Sequence, residues 1–304
     1  MTGPVGRVVL AVASLPAVRH LVAGTPTGRA LAARFVAGES LRDALEATRE
    51  LVAAGRRVSL DHLGEHVTDR RLAEAARDAY VEALEAIAGW GSDVDLSVKL
   101  TQLGLRVDRD LAVDALDRLA ARAAAIGTGV TVDMEESAWT EATIRAFEAV
   151  QPRRGNLGIA LQAYLYRTPA DLERLLPLGG TIRLCKGAYA EPSTVAFPRR
   201  RDVDAAFDLL LRRLMSCPDV VPAVATHDPE RIALARRLAA RRRGPWELQM
   251  LHGVRRDLQR ELVAAGLPLR VYLPYGASWY PYLTRRLAER PANVAFLLRA
   301  LLHR

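Results

Sequence analysis

The chain has 304 residues and a formal net charge of +8, because 43 lysines and arginines outnumber 35 acidic residues. The acidic residues are interspersed with the arginines along helical stretches, which is typical of a solvated, ion-paired surface, so the charge alone does not indicate a nucleic-acid-binding protein. Two cysteines, Cys185 and Cys217, are too few for a disulfide framework, so we expect reduced thiols in a cytoplasmic protein.

The first predicted element is an apolar run, RVVLAVASLPAV, at residues 7–18. Pro16, Arg19 and His20 interrupt it before it reaches the roughly 18 to 20 apolar residues of a membrane span, so a buried helix is favoured over a targeting peptide. We assign residues 1–56 to a helical region packed on the domain that follows. No later segment is long enough to span a bilayer, and any membrane contact would be peripheral, at the inner membrane surface.

Eight short apolar segments follow, and helical spacing of apolar residues separates them. Short, nearly continuous apolar strands that alternate with amphipathic helices predict a parallel sheet buried on both faces, and eight repeats close such a sheet into a barrel. We therefore predict an α/β fold: a (βα)8 TIM barrel over residues 57–304, with additional N-terminal helices and a C-terminal helix over the barrel mouth. The predicted strands are 58–60, 95–100, 130–134, 157–162, 181–186, 220–226, 247–251 and 269–273.

Helix boundaries agree with this alternation. In residues 111–127 apolar side chains recur on one face, and Gly127 ends the helix. Thr168 and Asp228 each precede a proline, so each is predicted to cap a helix whose first position is that proline.

Polar residues that end the predicted strands are the first candidates for a site, because the active sites of such barrels lie at the carboxyl ends of the strands. Together they form a mouth rich in cations and hydrogen-bond donors, which suits an anionic or electron-rich ligand. Two of them, Lys99 and Lys186, are the only lysines in the sequence. The candidates are Asp61, Glu65, Lys99, Asp133, Glu135, Gln162, Arg183, Lys186, Thr226, His227, Gln249 and Tyr272.

The last segment, LPYGASWYPYLTRRLAERP at 273–291, adds a glycine-containing loop, an aromatic cluster and a helix. On that helix Glu289 lies four residues after Arg285 and three after Arg286, so it can pair with either guanidinium. Two adjacent arginines near a barrel mouth can bind a carboxylate or phosphate through paired hydrogen bonds. On spacing alone, an ordinary solvated arginine pair explains them as well.

Several motifs resemble the proline dehydrogenase family, whose members oxidise L-proline to Δ1-pyrroline-5-carboxylate with non-covalently bound FAD in a distorted eight-stranded barrel. The absence of a GxGxxG motif argues against a separate dinucleotide-binding domain, so FAD would bind across the strand ends. The motifs are RLCKGAY (183–189), VYLPYG (271–276), WYPYLTRRLAER (279–290), LDHLGE (60–65), SVKLTQLGL (97–105), VDMEESA (132–138), ALQAYL (160–165), ATHD (225–228) and ELQMLHG (247–253).

The resemblance implies roles for individual residues. Arg285 and Arg286 would bind the substrate carboxylate, Glu65 would close the pocket by pairing with Arg285, and Glu289 would steady the arginines. The catalytic residues implied are Lys99, Asp133, Arg183 and Tyr272, with Lys99, Tyr272 and Leu251 also lining the substrate pocket.

For the flavin, the resemblance places Arg183 near N5, with Lys186 assisting in stabilising the reduced, anionic ring. Cys185 and Ala190 depart from the family pattern, since a branched apolar residue and an aromatic residue are common there. The implied FAD-binding residues are Met134, Gln162, Arg183, Lys186, Gly187, Ala188, Tyr189, Thr226, His227 and Gln249.

The resemblance also implies a quinone as electron acceptor and, since the chain ends at Arg304, a separate pyrroline-5-carboxylate dehydrogenase for the next step. Two alternative functions would use other residues. A metal-dependent hydrolase would use His227, His252, Asp133 and Glu135, but these lack the spacing of known metal motifs, so we predict no metal. A nucleic-acid-binding protein would use the basic run 236–244, which has no interleaved aromatic residues, so we predict no nucleic acid.

Overall fold

The structure of the protein is a computed structural model that describes Thr25 and residues 32–289, with side chains to Arg286. Eight parallel strands close into a barrel in sequence order, as predicted. The closing pair sets β1 beside β8, from Arg57 opposite Arg270 to His62 opposite Tyr275. The strands are β1 Arg57–His62, β2 Val94–Val98, β3 Val130–Val132, β4 Leu157–Gln162, β5 Gly180–Cys185, β6 Val220–Ala225, β7 Glu247–Leu251 and β8 Leu269–Tyr275.

Helices connect successive strands and cover the outside of the barrel. Short 3₁₀ turns at Gly91–Asp93 and Leu176–Leu178 lead into β2 and β5. The helices are α1 Leu41–Ala53, α2 Arg70–Ala86, α3 Arg109–Ala125, α4 Ser137–Arg154, α5 Thr168–Leu175, α6 Arg200–Ser216, α7 Pro229–Ala239, α8 Arg256–Ala264 and α9 Trp279–Glu289.

Burial on both faces explains why the strands are nearly continuous apolar runs. Every residue of β4 is buried, as the chain packs against side chains of the barrel interior on one face and against helices on the other. On the helix side, α3 buries a stripe that includes Leu116 and Leu119, and Gly127 follows it with a positive φ of 74°. The periodicity prediction is confirmed for both kinds of element.

Of the two predicted helix caps, one is correct. The Asp228 carboxylate accepts a hydrogen bond from the backbone N–H of Glu230 and caps α7. Thr168 instead lies inside α5, where its hydroxyl donates to the carbonyl of Gln162 at 2.6 Å. The prediction for Thr168 was wrong, because a tertiary contact with the end of β4 competes for the hydroxyl.

The barrel interior contains a continuous series of polar contacts. Near the amino-terminal ends of the strands, Arg270 pairs with Glu247 at 2.8 Å and with Asp95 at 3.3 Å. Glu247 accepts a hydrogen bond from Gln249, and Gln249 accepts one from Arg183 at 2.6 Å. Arg183 is therefore held, on the side of the amino-terminal strand ends, by polar groups that span the barrel.

The last helix lies at the barrel mouth. Trp279 and Leu283 of α9 pack with Phe35, Val36 and neighbouring residues in a small apolar cluster that also includes Leu63, just beyond β1. This confirms a C-terminal helix over the mouth. The domain boundary near residue 56 stays a prediction. The apolar run at 7–18 lies outside the described residues. Within the described part of the chain, no helix has the length and apolar composition needed to cross a bilayer.

Candidate active site

A cavity of about 500 Å³ opens at the carboxyl ends of the strands, and this volume suits a small molecule. It gathers the predicted site residues with described side chains, apart from Glu65 and Glu135. Those that line it are Lys99, Asp133, Met134, Gln162, Arg183, Lys186, Gly187, Ala188, Tyr189, Thr226, His227, Gln249, Leu251, Tyr272, Arg285 and Arg286.

Asp133 is the centre of a hydrogen-bond network in this cavity. Its Oδ1 accepts hydrogen bonds from the Arg183 guanidinium and, at 2.9 Å, from the hydroxyl of Ser97, while its Oδ2 accepts one from the Tyr272 hydroxyl at 2.6 Å. The Arg183 guanidinium also lies 5.3 Å from the Tyr272 ring centre. Burial and the nearby Asp133 charge raise the pKa of Tyr272 well above its usual value, so the phenol remains a donor.

Lys99 lies between two carboxylates. Its ammonium donates to Asp61 Oδ1 at 2.7 Å and is 3.7 Å from Asp133 Oδ2, so the predicted pairing with Asp133 is present but is the longer of the two. Burial lowers the pKa of Lys99, but attraction to both carboxylates outweighs burial and leaves that pKa raised. The sequence indicates Asp61 only as an acid at the end of a strand. That position is the one signal for its contact with Lys99.

Glu65 contacts Arg285, and its closure of the pocket stays a prediction. Arg285 donates to Glu65 at 2.8 Å, with the side chains 21% and 19% exposed. Burial raises the pKa of Glu65, but the Arg285 charge and hydrogen bond more than offset this, so the pKa is lowered and the carboxylate stays ionised. Arg286 lies 5.2 Å from the ring centre of Tyr282. The side chain of Glu289 lies outside the described residues.

The turn after β5 depends on Gln162 and on a glycine. Gln162 donates to the carbonyl of Glu135 at 2.8 Å and accepts from the backbone N–H of Ala188 at 3.3 Å, which holds the turn against β4. Gly187 has a φ of 123°, and a Cβ there would lie 2.4 Å from the Tyr164 ring. Only glycine fits this position without moving the turn.

Lys186 lies in the turn after β5 and pairs with two carboxylates of the chain, which the sequence did not predict. Its ammonium donates to Asp204 and, at 2.6 Å, to Asp228, which also caps α7. Attraction to Lys186 outweighs burial and lowers the pKa of Asp228. The Lys186 charge is thus balanced by the chain itself, and its main structural role is to tie the turn after β5 to α6 and α7.

Two further predicted cofactor residues, Thr226 and His227, are also held by internal contacts. His227 Nε2 accepts a hydrogen bond from the backbone N–H of Leu251 at 3.0 Å, and the Thr226 hydroxyl accepts one from the N–H of Asp228. Cys185, one of the two departures, donates from its thiol to the carbonyl of Leu161 at 3.4 Å. Burial raises the pKa of the Cys185 thiol to about 11, so it behaves as an unreactive small side chain.

The alternative metal site does not assemble. Its four residues were His227, His252, Asp133 and Glu135. Within the described residues, the group with three suitable ligand atoms within 4.8 Å of one another is instead His66, Glu135 and Glu136. The Glu135 carboxylate is already occupied, since it accepts from both the N–H and the hydroxyl of Thr101.

Part of the basic run at 236–244 has a structural role. Arg242 donates to the carbonyl groups of Met215, Cys217, Val220 and Pro245, so it joins the end of α6 to the start of β6. The other arginines of the run, at 236, 237, 241 and 243, are solvent-exposed. This arrangement favours a solvated face over a nucleic-acid surface.

The donor set fits a flavin nucleotide. The backbone of the turn at Gly187 lines the cavity, and the buried Arg183 guanidinium supplies a cation at the cavity wall. The residues that would hold FAD are those already placed in this cavity, on the ends of β3 to β7.

Comparison with known proteins gives one family. The family model "Proline dehydrogenase" matches residues 44–299. Proline dehydrogenase 1 of Bacillus subtilis (strain 168) is 38% identical over 274 residues, covering 89% of this chain and 90% of the relative. Proline dehydrogenase of Deinococcus radiodurans is 36% identical over 304 residues, covering 97% of each chain.

A solved structure shares the fold. Proline utilization A (PutA) from Bdellovibrio bacteriovorus, inactivated by N-propargylglycine, superposes with a TM-score of 0.82 at 23% identity. The match covers 89% of this chain and 34% of the PutA chain, so this chain spans about a third of that protein. With the family model matching most of its length, the chain belongs to the proline dehydrogenase family.

Proposed function

We propose that this protein oxidises L-proline to Δ1-pyrroline-5-carboxylate, the first step of proline catabolism, with FAD as its cofactor and a quinone as the electron acceptor. The observation that carries the proposal is the convergence of Lys99, Arg285 and Arg286 on the same cavity as the network of Asp133, Arg183 and Tyr272. The first group suits an amino-acid carboxylate, and the second suits redox chemistry beside a flavin.

Substrate binding follows from the cations. Arg285 and Arg286 present guanidinium groups that can hold a carboxylate through charge-assisted hydrogen bonds, and Lys99 adds a third positive charge. Because Glu65 pairs with Arg285, the carboxylate of proline would share that guanidinium or displace Glu65. Replacement of Glu65 by the substrate carboxylate at Arg285 would couple substrate entry to the loop after β1, which carries Glu65.

Asp133 and Tyr272 would stabilise the positive charge that forms on the substrate. Hydride loss leaves positive charge on the substrate nitrogen, and the fixed carboxylate of Asp133 can balance that charge. The Tyr272 ring supplies an apolar wall, while its hydroxyl orients Asp133.

FAD, when bound, supplies the acceptor for the hydride. Arg183 places a buried positive charge where it would favour added electron density, and Gln249 and Ser97 hold its guanidinium in position. Met134, Gln162, the turn at 186–189, Thr226 and His227 would hold the cofactor.

The test is a visible spectrum of the purified protein followed by anaerobic addition of proline. We expect flavin absorbance, present on purification or after reconstitution with FAD, and bleaching of that absorbance by L-proline. A protein that cannot be loaded with FAD, or a loaded protein that proline does not bleach, would contradict the proposal.

Electron transfer and product fate need separate measurements. A soluble quinone analogue should be reduced in a proline-dependent reaction faster than dioxygen, and the product should trap as an adduct with o-aminobenzaldehyde without forming glutamate. Glutamate formation by the isolated chain would contradict the need for a separate pyrroline-5-carboxylate dehydrogenase. Co-sedimentation with anionic vesicles would show whether the basic surface makes a peripheral membrane contact.

Replacing Gly187 with alanine should weaken the binding of FAD. The new Cβ would meet the Tyr164 ring at 2.4 Å in a backbone conformation that alanine rarely adopts, so the turn must move. We expect at least about tenfold weaker FAD binding by fluorescence titration, at an estimated cost of about 1–3 kcal/mol. Gly266→Ala is a matched control, since that glycine also has positive φ but open space around its Cβ, and it should bind FAD normally.

A further inference from the structure

Asp61 is a buried acid that lines the cavity. It is 0% exposed at the end of β1, and its Oδ1 accepts the hydrogen bond from Lys99 at 2.7 Å. Its Oδ2 is buried with no hydrogen-bond partner among the described residues. Burying an ionised carboxylate with one partner is costly unless that partner is itself charged. Asp61 and Lys99 therefore depend on each other.

Asp133 cannot replace Asp61 in this role. Its two oxygens already accept hydrogen bonds from Arg183, Ser97 and Tyr272, and its distance to the Lys99 ammonium, 3.7 Å, is too long for a hydrogen bond. The two acids thus divide the work: Asp133 orients Arg183 and Tyr272, and Asp61 orients Lys99.

We propose that Asp61 is a positioning residue that keeps Lys99 in its ammonium form and holds it at the cavity wall where the substrate carboxylate binds. The substrate part of this inference rests on the proposed function. The contact between the two side chains and the burial of both do not, so the pairing can be tested without substrate or cofactor.

Several charges act on the Lys99 ammonium. Asp61 and Asp133 attract it most strongly, whereas burial and Arg285 oppose its positive charge. Removing Asp61 leaves Lys99 with burial, Arg285 and one distant carboxylate, so its ammonium should be lost at lower pH. The titratable or charged groups that face Lys99 are Asp61, His62, Glu65, Asp133, Glu135 and Arg285.

The sequence makes the measurement simple, because it contains only two lysines. Protein labelled with ¹³C-lysine should give two side-chain Cε signals, and Lys99→Met assigns them. In Asp61→Asn, which keeps the shape of the side chain and removes its charge, the Lys99 signal should titrate at lower pH than in the wild type. Lys186 is an internal control, since its partners Asp204 and Asp228 are unchanged.

Enzyme kinetics supply a second readout. In Asp61→Asn we expect kcat/KM for proline to fall about 30-fold, as for breaking one side of a buried charge pair, with FAD content unchanged. The alkaline limb of the kcat/KM profile should also move to lower pH, following the Lys99 titration. A purely structural defect would lower activity at every pH without moving that limb.

The outcomes are distinct. A folded Asp61→Asn protein whose Lys99 titrates as in the wild type overturns the inference, whether or not proline is the substrate. If Asp61→Asn does not fold, the Asp61→Asn/Lys99→Met double variant decides: recovery of folding shows that the unpaired lysine was the fault, and failure to fold overturns the inference. Absence of flavin or of proline oxidation in the wild type contradicts only the proposed function, because the lysine titration is still measurable.

Discussion

Replacing Arg285 with methionine is expected to raise the KM for proline by about 100-fold and to leave the FAD content unchanged. The guanidinium is largely buried and faces the cavity, and its one ion pair among the described residues is with Glu65. Methionine retains the length and apolar packing of the arginine stem but cannot bind a carboxylate. Because the interaction we propose for Arg285 is with the substrate carboxylate, the effect should appear in KM before it appears in kcat.

Two variants separate binding from other effects. Arg213→Met removes an arginine that, like Arg285, pairs with a glutamate, here Glu173, but on the outer surface, and it should leave KM unchanged. Glu65→Gln removes the partner and keeps Arg285, so its effect on KM should be much smaller. Steady-state kinetics with flavin-normalised enzyme would measure all three. A wild-type KM in Arg285→Met would remove this arginine from the carboxylate site.

The barrel could be predicted from sequence because burial on both faces leaves a strong signal. Each strand of a parallel barrel is enclosed by interior side chains and by helices, so its sequence is a short apolar run, as in LGIALQ of β4. Polar residues that interrupt such runs near their ends are then easy to see, and Lys99, Asp133 and Arg183 were found that way.

Contacts across the barrel could not be predicted. Whether Lys99 pairs with Asp61 or Asp133 depends on the tilt and stagger of β1, β2 and β3, which a one-dimensional pattern does not contain. The ionic contacts of Arg270 with Glu247 and Asp95 were missed for the same reason, since each residue alone resembles an ordinary charge at a strand end.

The two lysines show how position and partner differ in predictability. Both lie at the mouth, as the motifs indicated, but Lys186 has its charge balanced by Asp204 and Asp228, on α6 and just before α7. Lys99 has its carboxylates within the barrel and faces the cavity. Both lysines thus pair with two carboxylates and line the cavity, but Lys99 is tied to the barrel strands and Lys186 to the helices that follow β5 and β6.

The second large effect is expected from Asp133→Asn, which should lower kcat/KM for proline by at least about 100-fold. The change keeps the side-chain shape but removes the negative charge that meets Arg183 and Tyr272, and it takes the second carboxylate from Lys99. Arg183 is 5% exposed and makes no other ion pair among the described residues. We therefore also expect a loss of folding stability of about 3 kcal/mol, as for other broken buried pairs.

Asp95→Asn is the matched control, because Asp95 is a half-buried acid of the same barrel that lies at the opposite end and pairs with Arg270. It should lower the free energy of unfolding, measured by urea denaturation, without changing kcat/KM in the folded enzyme. If Asp133→Asn and Asp95→Asn lost activity to the same degree, the loss would come from the weakened barrel. If Asp133→Asn alone were inactive while its flavin remained bound, weaker folding could not explain the loss. The missing carboxylate would then be needed for the reaction of the substrate.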